Sequence, residues 1–77
     1  MGDLKLIQDT VSGHVIIKEN SQYNNIKAEK VVVAEDVTVR LYGSVTDVVI
    51  KKGATVYIYG EISGNVENEG GEIHIYR

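Results

Sequence analysis

The side chains best suited to catalysis or metal binding in this sequence are His14 and His74. An imidazole acts as a base or as a ligand only beside partner groups at a suitable spacing. Neither histidine stands in a His-x-x-x-His or His-x-x-Glu arrangement, and the two fall at different positions of the repeat described below. We therefore expect two separate surface residues.

Other polar groupings also lack the partners that chemistry requires. Ser12-Gly13-His14 has no acid at a convincing spacing, and Ser63, the repeat equivalent of Ser12, indicates a role at a corner. Glu35-Asp36 and the acidic residues near the C-terminus follow no calcium-loop pattern and are typical of solvated turns. The sequence thus predicts no enzyme, no metal site and no cofactor.

The composition indicates an all-β protein. Val, Ile and Thr occur 12, 9 and 4 times in the 77 residues, whereas Leu and Ala occur only three times each. β-Branched side chains suit a pleated strand and lose rotamer freedom in a helix. Because there is no Cys, stability must come from packing and backbone pairing.

Charge and hydropathy restrict the partners. A net charge of −3 provides no broad basic field for nucleic acid. No apolar run approaches the roughly 18 residues that a membrane-spanning helix needs, and the N-terminus has no signal-peptide pattern. We expect a cytoplasmic protein without a transmembrane segment.

A repeat of 17 residues is the strongest feature of the chain. Within one unit, apolar positions fall six, six and five residues apart, which predicts three short sides of a triangular coil. A period this short favours strands, because helical repeats run to about 33 residues or more. The aligned columns are Val39, Val56 and Ile73; Leu41, Ile58 and Ile75; Tyr42, Tyr59 and Tyr76; Val15, Val32, Val49 and Val66; and Val11, Ala28, Val45 and Ile62.

The predicted fold is an all-β, single-stranded β-solenoid of about four such coils. Residues 1–77 form one domain, in which residues 1–10 are a partial coil or cap and residues 11–76 carry the repeats. The segment Gln22-Tyr23-Asn24-Asn25-Ile26 fits the register badly, and a slide that places Tyr23 beside Val39 predicts a bulge or loop there. Corners are assigned to Gly43, Gly53, Gly60 and Gly64.

The pattern resembles the bactofilin family of polymer-forming bacterial cytoskeletal proteins. A unit of that family is resembled by residues 48–66. They read Val48-Val49-Ile50-Lys51-Lys52-Gly53-Ala54-Thr55-Val56 and then Gly60-Glu61-Ile62-Ser63-Gly64-Asn65-Val66, with Tyr57-Ile58-Tyr59 inserted between the two parts. The resemblance covers about residues 11–76. It implies a right-handed coil and a structural protein that polymerises end to end by stacking.

Strand alternation assigns a tyrosine ladder to the outside of the coil. Stacked aromatic side chains stabilise a sheet by roughly 0.2–1 kcal/mol per pair. Tyrosines are also enriched at protein interfaces and can stack on sugars, so that a structural ladder, a protein interface and a glycan site all remain open. The ladder consists of Tyr42, Tyr59 and Tyr76, flanked by Arg40, Tyr57 and His74, with Val37, Val39, Leu41 and Val45 pointing inward.

A second candidate surface is an apolar stripe on the outer face. The Val32 and Val49 column stays apolar into the last coil and is therefore assigned to the core, which turns its neighbours outward. Such a stripe indicates self-association, unless the N-terminal segment covers it as a lid. The stripe consists of Val31, Val33, Val48 and Ile50, and the lid would contain Leu4, Leu6 and Ile7.

These features predict a small, non-enzymatic structural protein of bactofilin-like type that forms a homo-oligomer. The alternative is a compact binding or inhibitory protein, such as an immunity protein that neutralises a toxin. That protein would engage another protein through its tyrosine-rich face, and a monomeric mass at high concentration would favour it.

Overall fold

The computed structural model describes residues 4–76 as a single parallel sheet wound into a β-solenoid of about four turns. This confirms the all-β solenoid that the repeat predicts. The strands are β1 (Lys5–Ile7), β2 (Val11–Ile17), β3 (Ser21–Val33), β4 (Thr38–Ile50), β5 (Thr55–Ile62), β6 (Val66–Asn68) and β7 (Glu72–Tyr76).

Each coil is stacked on the one before it by parallel pairing. β1 and β2 pair with β3, β3 pairs with β4, and β4 pairs with both β5 and β6. β7 completes the stack on β5. From Thr38 onward the register on this side of the coil follows the 17-residue repeat, with Tyr42 opposite Tyr59 and Tyr59 opposite Tyr76.

One corner of the coil changes its length from turn to turn. Val15 pairs with Val31, Val31 with Val48, and Val48 with Val66. A single residue separates Gly13 from Val15 in the first coil, whereas Ser63-Gly64-Asn65 separates Ile62 from Val66 in the last. Of the predicted column of Val15, Val32, Val49 and Val66, the Val32–Val49 pair is confirmed, but the placement of Val15 and Val66 is wrong because the offset is not constant.

The same irregularity moves the start of the first coil. Val11 pairs with Ile26, and Gly13 takes the place opposite Ala28 that the repeat assigned to Val11. Ser12 accordingly pairs with Lys27, so it does not share a column with Ser63. The rest of the column predicted to begin at Val11 is confirmed, since Ala28 pairs with Val45 and Val45 pairs with Ile62.

The core is a narrow apolar column that runs through the centre of the coils. Strands that are buried on one side alternate inward and outward residues, and the phase of this alternation changes between Val45 and Val48. The inward positions of Val37, Val39, Leu41 and Val45 are confirmed. The buried side chains are Ile17, Ile26, Ala28, Val31, Val33, Val37, Val39, Leu41, Val45, Val48, Ile50, Ala54, Val56 and Ile58.

This core overturns the predicted apolar stripe. Val31, Val33, Val48 and Ile50 each have 0% of their surface exposed and so form the inner wall of the coil. Shifting a strand by one residue exchanges its inner and outer faces. The predicted column put Val32 and Val49 in the positions that Val31 and Val48 occupy, and so it exchanged the two faces. β1 also does not act as a lid over this side, because it stacks on Ser21–Tyr23 at another part of β3.

The irregularity predicted around Gln22 is present. The pairing of β3 with β4 shifts between Tyr23 and Ile26, which confirms a bulge. The direction of the slide is opposite to the prediction, since Ser21 lies beside Val39 and Tyr23 lies beside Leu41.

Two stacked glycines mark another corner. Gly43 and Gly60 pair with each other and have φ values of 144° and 153°. A Cβ atom on Gly60 would meet the carbonyl oxygen of Gly43, and one on Gly43 would meet that of Ile26. Only glycine allows the coils to approach this closely, which confirms these two corner assignments.

Candidate interaction surfaces

The predicted tyrosine ladder is present on the outer side of β4, β5 and β7. The ring centroids of Tyr42 and Tyr59 lie 4.6 Å apart with an interplanar angle of 8°. Tyr59 and Tyr76 continue the stack at 4.9 Å and 16°. Parallel pairing in register imposes this geometry, because identical positions of successive coils repeat at the spacing between strands, roughly 4.8 Å.

A second ladder runs beside the first, two residues earlier on each strand. Tyr57 stacks on His74 with the ring centroids 5.1 Å apart. The guanidinium carbon of Arg40 lies 5.9 Å from the centroid of the Tyr57 ring, within the range of a cation–π contact. The structure thus brings together all six residues that the sequence assigned to this surface.

Stacking determines what this surface offers to a ligand. Both faces of the Tyr59 ring are covered by Tyr42 and Tyr76, so Tyr59 presents only its edge and hydroxyl group. Among the described residues, the Tyr76 ring stacks on one neighbour and is 47% exposed. A sugar that stacks on an aromatic face would therefore meet a ring at an end of a ladder, such as Tyr76 or His74, and not the central Tyr59.

The remaining polar residues are dispersed around the coils. His14 pairs with Lys30 on β2 and β3, whereas His74 belongs to β7, so the expected separation of the two histidines is confirmed. Glu69 contacts Lys51, and Glu72 pairs with Thr55. Residues 4–76 include no group of three or more His, Asp or Glu side chains arranged to hold a metal ion.

A surface that the sequence interpretation missed lies on the outer side of the coils, next to the corner whose length changes from turn to turn. We call it the lateral face and define it by residues 14–18, 30–34, 47–51 and 65–69. Its central column is formed by Ile16, Val32 and Val49, which pair in order. Ile16 is 64% exposed, and the two valines are half-buried. The prediction was the reverse, with Val32 and Val49 in the core and with Val31 and Val48 outside.

Charged residues flank this apolar column. The Nζ atom of Lys51 lies 3.2 Å from Oε1 of Glu69, and both side chains are partly exposed. Hydrogen bonding with the Glu67 side chain and with Lys51 lowers the pKa of Glu69 below its usual value. The Asp47 carboxylate accepts a hydrogen bond of 2.9 Å from the backbone N–H of Asn65 and so fixes the lengthened corner.

The two ends of the stack are the third surface. Within residues 4–76, β6 pairs only with β4 and β7 only with β5, which leaves one edge of each strand without a partner. Val66 and Ile75, whose columns are buried in the preceding coils, are 40% and 43% exposed there. At the opposite end, β1 and β2 each pair only with β3.

Comparison with protein families, with curated proteins and with solved structures finds no match to this chain. No helix within residues 4–76 is long and apolar enough to cross a membrane. The fold and surfaces define a short parallel β-solenoid with an aromatic ladder on one side and, within residues 4–76, strand edges without a partner at both ends.

Proposed function

We propose that this chain is a small, non-enzymatic structural protein that self-associates by stacking its solenoid end to end, as a bactofilin-like module of the bacterial cytoplasm. The observation that carries the proposal is the pair of sheet edges that have no partner strand within residues 4–76, one at each end of the stack. An unpaired strand presents a row of N–H and C=O groups that another strand can complete.

The exposed end of the core supports the same proposal. Val66 and Ile75 continue the buried columns of Val48 and Ile58 and have no further coil above them in residues 4–76. A second copy stacked on this end would remove their apolar surface from water, at about 25 cal/mol for each Å² buried. A solenoid with few coils has a large share of its residues at its ends, and stacking reduces this share.

Continuation of the observed pairing defines a head-to-tail contact. All pairs in the sheet are parallel. β1 of one copy would extend the column of β7, with Ile7 following Ile75. Such a contact uses two different surfaces and so produces an open series of oligomers.

Charge is compatible with this direction of stacking. The last coil carries Glu67, Glu69 and Glu72, whereas Lys5 and Lys18 belong to the first coil. Head-to-tail stacking would set the end that carries these lysines against the end of another copy that carries these glutamates. Salt screens interactions between exposed charges, and we therefore expect the association to weaken as salt increases.

Sedimentation velocity over a range of concentrations tests the proposal. We expect the average mass to rise with concentration, and Ile75→Lys to suppress the longer oligomers because it places an ammonium group in the apolar end. Ser44→Lys is the matched control, since it adds the same charge to an exposed position in the middle of the stack. A chain that is monomeric at every concentration would overturn end-to-end assembly.

The alternative function is binding of another protein through the aromatic ladders, as an immunity or inhibitory protein would do. It is favoured by the exposed Tyr76 and by Arg40, which give this face an aromatic and cationic edge. Tyr and Arg are enriched at the energetic centres of protein interfaces. A concentrated chain that stays monomeric would support this alternative over the structural role.

A further inference from the structure

The tyrosine ladder holds three oxidisable side chains in contact with one another. The ring centroids of Tyr42, Tyr59 and Tyr76 follow each other at 4.6 and 4.9 Å, and the planes of the first two rings differ by only 8°. The two other tyrosines have different neighbours, since Tyr57 stacks on His74 and Tyr23 packs against the core. A phenol readily loses one electron, and this chain has neither Cys nor Trp to compete for the oxidant.

The hydroxyl ends of the stacked rings project away from the sheet. Side chains of a strand stand roughly perpendicular to the sheet, so the ring carbons that flank each hydroxyl group form the outer edge of the ladder. Pairing in register sets these carbons of one ring opposite those of the next. Tyr42 and Tyr59 are half-buried and Tyr76 is 47% exposed, and a small solute can therefore reach this edge.

We propose that the tyrosine ladder is a site of oxidative cross-linking, at which a diffusible one-electron oxidant joins Tyr59 to Tyr42 or to Tyr76 as dityrosine. Two equivalents of oxidant each take one electron from a phenol, and the two hydroxyl protons pass to water. The resulting radicals form one carbon–carbon bond between Cε atoms. The hydrogen on each of these carbons then leaves as a proton and another protonates the oxygen of the same ring, which restores both phenols. The product has lost two electrons and two protons in all.

Stacking determines which tyrosines couple. Radicals on separate molecules must meet by diffusion, whereas neighbours in the ladder are already in contact before oxidation. Tyr59 has a tyrosine on each face, so a radical there always has a partner ring beside it. The new bond requires two rings to tilt out of their parallel stack, and this side-chain motion leaves the paired backbones of the coils in place.

The cross-link is independent of the proposed self-association. In the head-to-tail contact the strand that follows β7 is β1, which contains no tyrosine. The ladder of one copy therefore ends at Tyr76, and we expect the bond to form within a single chain.

The bond would act in this chain as a disulfide acts in others. Tyr42 and Tyr59 are 17 residues apart, as are Tyr59 and Tyr76, so either bond ties one coil to the next. A cross-link that closes a loop restricts the unfolded chain and thereby favours the folded one. We expect the oxidised protein to have a Tm at least about 5 °C higher than the unoxidised protein.

The test is brief photo-oxidation of the dilute protein by a ruthenium tris-bipyridyl complex, with persulfate as the electron acceptor. We expect dityrosine fluorescence, an intact mass lower by two hydrogen atoms, and migration as a single chain in denaturing electrophoresis. Trypsin cleaves after Arg40 and Lys52, so a bond between Tyr42 and Tyr59 joins two peptides that are otherwise separate.

Phenylalanine variants identify the partners without removing a ring from the stack. Tyr59→Phe should lower the yield of single-chain dityrosine at least about tenfold, because both stacked pairs share this residue. Tyr57→Phe is the matched control, since it makes the same change on the same outer side of β5 and should leave the yield unchanged. Tyr42→Phe should abolish the joined tryptic peptides and leave the bond between Tyr59 and Tyr76.

Four results would each overturn the proposal. They are the absence of dityrosine, cross-links only between chains, an equal yield of single-chain dityrosine in Tyr59→Phe, and an equal yield from the protein unfolded in concentrated urea. None of them bears on the mass of the native protein. Failure of the cross-link therefore leaves end-to-end stacking standing, and a chain that stays monomeric leaves the cross-link standing.

Discussion

Val48 and Val49 are consecutive residues of β4, and they have opposite environments. The Val48 side chain lies in the core with 0% exposure, whereas Val49 points outward beside Val32 on the lateral face. The sequence gives both residues the same type, so only their orientation distinguishes them. This relationship underlies the first prediction.

We predict that Val48→Asp prevents folding and that Val49→Asp does not. A carboxylate in the apolar column of Val31, Val48 and Val66 would be desolvated without a partner, at a cost comparable to the whole stability of a small domain. The same group at position 49 remains in contact with water and changes stability by about 0.5 kcal/mol or less. Circular dichroism melts of both variants provide the measurement, and a folded Val48→Asp with an unfolded Val49→Asp would reverse the assignment.

The regular part of the coil is the part that could be predicted from the sequence. Between Thr38 and Tyr76 the register along β4, β5 and β7 is constant, so a fixed offset identifies the tyrosine ladder and the inward positions of β4. Each stacked pair is a local consequence of parallel pairing in register. The positions of these residues required no knowledge of the corners.

The irregular side could not be predicted in the same way. Its corner contains only His14 in the first coil but Ser63-Gly64-Asn65 in the last. Extra residues at a corner leave the strands paired and change only which residues point inward. In a run such as Val31-Val32-Val33 both faces are apolar, so hydrophobicity does not show which residues those are. A displacement of one residue exchanged the inner and outer faces and concealed the lateral face.

The stacked glycine corner supports a second prediction, on Gly60→Ala. The added methyl group would meet the carbonyl oxygen of Gly43, and the backbone of one coil must move to admit it. We expect a loss of at least about 2 kcal/mol in the free energy of unfolding, measured by denaturant titration.

Gly13→Ala is the control for this prediction. Gly13 also has a positive φ, of 79°, but a Cβ atom there would have no neighbour within 4 Å. The control therefore includes backbone strain without the steric contact, and we expect it to cost about 1 kcal/mol. Equal losses in the two variants would show that the approach of the coils contributes nothing.

The third prediction concerns the tyrosine ladder. Tyr59→Ala removes two stacked contacts and Tyr76→Ala removes one. At roughly 0.2–1 kcal/mol per pair, Tyr59→Ala should lower the free energy of unfolding about twice as much as Tyr76→Ala. Thermal melts at matched concentration measure both. A Tyr59→Ala protein with an unchanged Tm would contradict a structural ladder.

The last prediction concerns alkaline pH and Tyr23, which lies beside Leu41 at the bulge of β3. Partial burial, and secondarily the nearby negative charge of Glu19, raises the pKa of the Tyr23 hydroxyl above its usual value. Since the folded protein disfavours the phenolate, the unfolded chain loses this proton first as pH rises. The contribution of Tyr23 to stability is therefore fully present below the ordinary pKa of tyrosine, about 10, and is lost as pH rises through the higher pKa of the folded state. Urea titrations at pH 8 and pH 11 should show a smaller decrease in stability for Tyr23→Phe than for the unchanged protein. The other tyrosines are common to both proteins, so an equal decrease would show that Tyr23 titrates alike in the folded and unfolded states.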